Sequence, residues 1–220
     1  MWDSSTWIMI SKGLLETVYM TLLSTFAAYV LGLPLGVLLV IGESSGILPM
    51  PRLNKVLNVI VNLLRSIPFL ILLIAVIPFT RLLIGTTIGS TATVVPLVIA
   101  AAPFIARLVE SSLQEVDKGV VEAAVSMGCS PFQIIRKVML PESVPSLITG
   151  AAIATTTILG YSAMAGIVGG GGLGDIAIRY GYYRYQNDIM FATVALLVIV
   201  VQVAQEAGTR IARKRDKRKQ

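Results

Sequence analysis

From Thr17 to Gly42 the chain reads TVYMTLLSTFAAYVLGLPLGVLLVIG, without one charged residue. A helix needs about 20 consecutive apolar residues to cross the hydrocarbon core of a bilayer. A helix on the surface of a soluble core is usually shorter and keeps a polar face. A run of this length and uniformity has no stable place in water, so the chain is read as an integral membrane protein. Its function then concerns what crosses, or acts across, a membrane.

Composition agrees. Only 14% of the 220 residues are charged, which excludes a disordered chain and an ordinary soluble domain. There is no histidine, so the usual general base near neutral pH is missing. Cys129 is the only cysteine, so no intrachain disulfide can form. The net charge of +6 gathers at the C-terminus, in Arg210, Arg213, Lys214, Arg215, Lys217, Arg218 and Lys219. Such a cluster can bind nucleic acid. After a terminal apolar run it reads better as a cytoplasmic stop, and no nucleic-acid partner is expected. Residues before Thr17 carry Asp3, Lys12 and Glu16, not the basic start of a secretory signal, so the first run is expected to stay as a helix.

Five spans are expected: Thr17 to Ile41, interrupted by Pro34; Ser66 to Leu83; Ala92 to Val109; Ser143 to Ile167; and Ile189 to Gln205. Leu53 to Leu64, with Asn54, Lys55, Asn58 and Asn62 at helical spacing, reads as an amphipathic helix at the membrane surface. Arg65 follows it as a snorkelling cation, and Asn62 reads as an interfacial anchor. Lys and Arg bias places the C-terminus in the cytoplasm and, with five spans, the N-terminus outside. Gly169 to Asp188, rich in Gly and Tyr, is expected to be a flexible outer loop. The match of Gly169, Gly171 and Gly174 to G-x-G-x-x-G is discounted, because no βαβ unit surrounds it.

The longest strongly polar interval is Ser111 to Pro141. Within it Val120, Ala123, Ala124 and Met127 form an apolar stripe at i, i+3, i+4, i+7. Gly128 should end that helix. Ser130 as N-cap and Pro131 in the first turn should start a second, running through Phe132, Ile135 and Met139 and stopping before Pro141. Two readings fit such a short cytoplasmic helix: docking onto a soluble partner, or lying on lipid headgroups.

Glu122-Ala123-Ala124, then Gly128, then Leu140-Pro141 resemble the "EAA" signature of bacterial ABC importer permeases, with Val138 where Ile is common. Arg65-Ser66-Ile67-Pro68-Phe69, Ala102-Pro103-Phe104, Gly160-Tyr161-Ser162-Ala163-Met164 and Gly171-Gly172-Leu173-Gly174 extend the likeness to the methionine-uptake branch of that family, from about Gly13 to Gly208. The resemblance implies an all-α, polytopic, type I ABC importer permease fold with five membrane helices and a cytoplasmic coupling helix before the fourth. It implies one permease domain over 13–208 and a basic tail over 209–220. The chain would sit in the bacterial inner membrane, among lipid, as a homodimer. Two cytoplasmic ATPase subunits would grip Glu122, Ala123, Ala124, Met127, Gly128, Leu140 and Pro141. A methionine-binding lipoprotein would deliver substrate from outside. ATP and magnesium would belong to the ATPase, leaving this chain without cofactor, metal or catalytic residue. No G-x-x-x-x-G-K-[ST] motif is present, in keeping with that division.

Tyr161, Ser162 and Met164 lie among small residues. They read either as helix packing or, by the resemblance, as part of the translocation pathway with Arg65 and Pro68. Arg107 and Glu110, three apart, are expected to pair. Asp175, Arg179, Arg184 and Asp188 are either solvated or contacts for the binding protein. Two rivals stay open: a permease for another small solute, and an ATPase-independent channel or ion-coupled carrier. The second calls for acids deep within spans, whereas Glu16, Glu142 and Glu206 fall at expected span ends.

Overall fold

The computed structural model describes residues 3–215, with side chains to Lys214. Lys217, Arg218 and Lys219 of the basic tail lie outside the described residues. Every regular element among the described residues is helical: α1 (Ser4–Ile41), α2 (Pro51–Ser66), α3 (Phe69–Ala75), α4 (Ile77–Ile84), α5 (Ser90–Gln114), α6 (Lys118–Ser126), α7 (Pro131–Ile134), α8 (Leu140–Glu142), α9 (Val144–Met164), α10 (Gly172–Ile176) and α11 (Asn187–Arg215). Wide-turn π segments occupy Ile135–Met139 and Ala177–Tyr182, and a tight 3-10 turn occupies Ala165–Val168. Four helical stretches are long and apolar enough to span a membrane, and up to five if the bent pair α2 and α3 counts as one broken span.

The first helix starts well before Thr17 and continues through Pro34. Apolar packing outweighs the single backbone hydrogen bond that proline removes. Three of its hydroxyls bond back along the helix: Thr17, Thr21 and Thr25 each donate to the carbonyl four residues back, at 2.7–2.9 Å. The expected second span is not one helix. Two short helices, α3 and α4, meet at Val76, and Pro78 fits the first turn of α4, where its missing N–H costs nothing. The last helix runs on through the first basic residues to Arg215.

Two compact units divide the chain: 1–28, 67–101 and 155–205 form one; 29–66, 102–154 and 206–220 form the other. In the first, the expected flexible loop after α9 is instead folded and largely buried at Gly172, Leu173, Gly174, Ile176, Ala177 and Gly181. The Gly172 N–H donates to Glu16 Oε2 and the Leu173 N–H to Thr17 Oγ1, both at 2.8 Å. Thr93 Oγ1 donates to the Gly170 carbonyl at 3.1 Å. The glycines let this segment lie against backbone; Gly174 packs directly on Ala163. Sequence saw glycine and inferred mobility, but here glycine permits close packing.

In the second unit, α1 crosses α5 through Gly32 and Gly36. A Cβ at Gly36 would stand 2.6 Å from the Ala106 carbonyl oxygen, and one at Gly32 2.8 Å from that of Ala102. This is a G-x-x-x-G contact, in which small residues bring two helix backbones together. Beside it Leu39, Val61 and Ala106 form a buried core with Leu35 and Leu57 packed on it.

Candidate functional site

The polar interval at the end of α5 folds into a helix pair, α6 and α7, whose N-termini are both capped by side chains. Asp117 caps α6 by accepting from the Gly119 N–H at 2.7 Å. At the other end Gly128 has φ +78°, the Gly128 N–H reaches the Val125 carbonyl at 2.9 Å and the Cys129 N–H reaches the Ala124 carbonyl at 3.1 Å. These two bonds are a complete Schellman motif, which needs a left-handed residue at the position Gly128 holds. Ser130 then opens α7 with a reciprocal capping box. Its hydroxyl accepts from the Gln133 N–H at 3.4 Å, and Gln133 Oε1 accepts from the Ser130 N–H at 2.9 Å. The helix–break–helix expected around Gly128 is thus present.

Two details differ from expectation. The second helix does not stop before Pro141: it widens over Ile135–Met139 and carries Leu140 and Pro141 into α8. A regular turn would press the proline ring against the carbonyl four residues back, and the widened turn relieves this. Nor is the stripe buried as a unit. Ala124 is 2% exposed and seats α6 on the rest of the unit, along with Ile134 and Met139. Val120, Ala123, Val125, Met127 (76% exposed) and Phe132 face outward. Glu122, Lys118, Gln133 and Arg136 surround them, also exposed. A small apolar surface with a charged rim, on a rigidly capped pair of helices, is what a docking element requires.

The element is anchored at its base. Ser146, at the start of α9, donates to Glu115 Oε1 at 2.9 Å and bonds Ser112 at 3.1 Å. Gln114 donates to Glu43 Oε1 at 3.0 Å. Arg107 and Glu110 do pair, at 2.6 Å, and Glu110 is 8% exposed and well inside α5 rather than beyond its end.

Of the expected pathway residues, Tyr161 stacks face to face on Phe69, ring centroids 4.4 Å apart and 3° from parallel, directly after Pro68, which caps α3. Ser162 is buried and donates to the Leu159 carbonyl at 2.8 Å. Met164 is 47% exposed. Arg65 is exposed in the last turn of α2, where a cation is favoured by the helix dipole. Within the first unit the structure thus places Tyr161 on Phe69, the residue that follows Pro68. Asp175 pairs with Arg179 at 2.8 Å, and Arg184 lies over the Tyr180 ring at 4.5 Å.

The helix expected over Leu53 to Leu64 is present as α2. Asn54 and Asn58 are half-buried and bonded within the unit, while the apolar residues Leu53, Val56, Ile60 and Leu63 point outward. Asn62, expected as an interfacial anchor, is exposed, and its Oδ1 accepts from Arg107 Nη2 at 2.9 Å. Periodicity revealed an amphipathic helix but not which face meets the protein, because nothing local said that Arg107 needed acceptors.

Four to five helical stretches long and apolar enough to span a bilayer, with a capped and exposed helix pair between two of them, define a polytopic membrane protein. The chain belongs to the family of binding-protein-dependent transport system inner membrane components, whose model matches residues 32–211. Among its curated relatives, the probable D-methionine transport system permease protein MetI of Vibrio cholerae is 49% identical over 217 residues, 96% of each chain. Its counterpart in Pasteurella multocida is 46% identical over 212 residues, covering 96% of this chain and 98% of that one. Among solved structures, an inward facing conformation of the MetNI methionine ABC transporter contains a chain 46% identical, with TM-score 0.97, covering 98% of this chain and 100% of that one. The fold is therefore all-α, of the type I ABC importer permease kind.

Proposed function

We propose that this chain is the permease subunit of an ATP-driven methionine importer, carrying D- and L-methionine into the cytoplasm. The exposed apolar face of α6, held rigid by its caps and rimmed with charge, carries the reading. The methionine-transport relatives support the substrate.

Two copies enclose the pathway, and two ATPase subunits dock on Glu122, Ala123, Met127 and Gly128, with buried Ala124 seating the helix and Leu140 and Pro141 setting its return into the membrane. A methionine-binding lipoprotein delivers substrate from outside. The permease domain covers 13–208 and the basic tail 209–220, with the N-terminus outside and the tail in the cytoplasm. ATP and magnesium stay on the ATPase, and this chain carries no cofactor. Exposed Phe191, Val194, Val198 and Val203 of α11 face lipid. Tyr161, Ser162, Met164, Arg65 and Pro68 contribute to the pathway, Tyr161 by bracing α3 through Phe69. ATPase closure pulls α6, and the spans follow. Substrate biases the two states only by its differential affinity, so uphill import draws on ATP.

The test is uptake of labelled methionine into proteoliposomes holding permease, ATPase and binding protein. ATP-dependent uptake that excess unlabelled methionine abolishes is expected. Uptake indifferent to methionine would remove the substrate, and uptake without any ATPase would remove the importer.

A further inference from the structure

The function above leaves one half-buried polar cluster unused. It lies in the second unit, where α5 approaches the docking element. Arg107 Nη1 donates to Glu110 Oε2 at 2.6 Å, while Nη2 donates to Asn58 Oδ1 at 2.7 Å and Asn62 Oδ1 at 2.9 Å. A guanidinium has only donors, so both asparagines must present their oxygens. The Asn58 amide N–H then remains to donate onward, to the Asn54 carbonyl and Oδ1 at 2.9 and 2.8 Å. Asn54 in turn donates to the Leu39 carbonyl at 2.6 Å.

The result is a one-directional chain of donors from α5 through α2 to the last turn of α1. It meets a strict need at its far end. The last four carbonyls of a helix lack intrahelical partners. Here Leu38, Val40 and Ile41 are satisfied by N–H groups of Gly42, Glu43 and Leu48 in the turn, and Leu39 only by Asn54. Bonds to a charged donor in a half-buried setting are stronger than neutral ones and polarise one another. The chain also sits on the apolar core of Leu39, Val61 and Ala106, so polar and apolar contacts hold the same three helices.

Only Glu115, Val116 and Asp117 separate the end of α5 from the start of α6. A pull on α6 thus reaches α5 at once. Whether it moves more than α5 depends on what α5 is fastened to. We infer that the Arg107–Glu110 pair with Asn58 and Asn54 is a force-transmitting clasp: it makes α1, α2 and α5 follow the docking element as one body, and Arg107 is a positioning residue for coupling. This rests on the importer reading above.

The readout is methionine moved per ATP hydrolysed, in proteoliposomes with ATPase and binding protein, for complexes matched in assembled amount. N58L/N62L leaves the Arg107–Glu110 pair but cuts its link to α2. R107M/E110M removes both charges together, replacing the pair by apolar side chains of similar length, an exchange that often leaves a fold intact. Each is expected to hydrolyse ATP at near the wild-type rate yet move at least fivefold less methionine per ATP. N62D, which keeps an acceptor for Arg107, should keep the wild-type ratio. A merely structural role would lower the amount of complex and leave the ratio alone. Variants that assemble and keep the wild-type ratio overturn the clasp. A wild-type complex that shows no ATP-dependent methionine uptake overturns the importer reading instead.

Discussion

Gly128 offers the sharpest test of the docking element, because its contribution separates into parts. Its φ of +78° is one that side chains with a Cβ rarely adopt, yet a Cβ there would meet nothing within 4 Å. Substitution therefore costs conformation and not space. A left-handed backbone costs an L-residue about 1–2 kcal/mol, which is about a 5- to 30-fold loss in the population of the capped turn. Asn tolerates this region better than other side chains, so G128N should lose least, G128A more, and β-branched G128V most. Gly128→Asp adds a charge at the docking face and should uncouple hydrolysis from transport even when the turn forms. The assay is affinity of the purified ATPase for the permease in detergent, with uptake in parallel. Affinity should follow the order Gly, Asn, Ala, Val over about the stated range, while membrane insertion is unchanged. Equal affinity for Gly128 and G128V would refute the argument, since it would mean the turn is not part of what the ATPase recognises.

At the α1–α5 crossing, G36A forces a Cβ against the Ala106 carbonyl at 2.6 Å and Val109 at 2.7 Å. Overpacking of about 1–3 kcal/mol should follow, seen as a lower midpoint of thermal unfolding in detergent. Replacing Ser130 by Ala breaks the capping box and should cost about 1 kcal/mol, visible as faster hydrogen exchange over α7 with no change elsewhere. Y161L removes the stack on Phe69, worth about 0.5–1.5 kcal/mol beyond its buried area. It should loosen α3 in hydrogen exchange, and unchanged protection would argue against the bracing role. At Ala123, on the outward face, a bulky residue such as Trp should leave insertion intact and abolish coupled uptake; normal uptake would contradict the docking role.

Residue chemistry close in sequence was the legible part. Gly128, Ser130 and Pro131 carry their conformations with them, so the break and restart of the docking helices followed from local rules. Long apolar runs announced four helices in the same way. What depended on distant partners was hidden. That Asn58 and Asn62 meet Arg107 depends on a residue far along the chain with donors to satisfy. The Gly-rich stretch after α9 is ordered because Glu16 and Thr17 meet its N–H groups. The split of the expected second span at Val76 did have a local sign in Pro78, which has no N–H to give the carbonyl four residues back and so starts a new helix. One distant contact did have a signal: Gly32 and Gly36, spaced four apart in an apolar run, mark a helix crossing.

The account rests on α6 facing the cytoplasm and being covered by an ATPase. Cys129 is the only cysteine, so M127C in a C129S background places one reactive thiol on the most exposed large apolar residue of the docking face. A membrane-impermeant maleimide should label it in inside-out vesicles, not in intact spheroplasts, and added ATPase subunit should block the labelling. Labelling from outside the cell, or labelling that the ATPase leaves unchanged, would contradict the account.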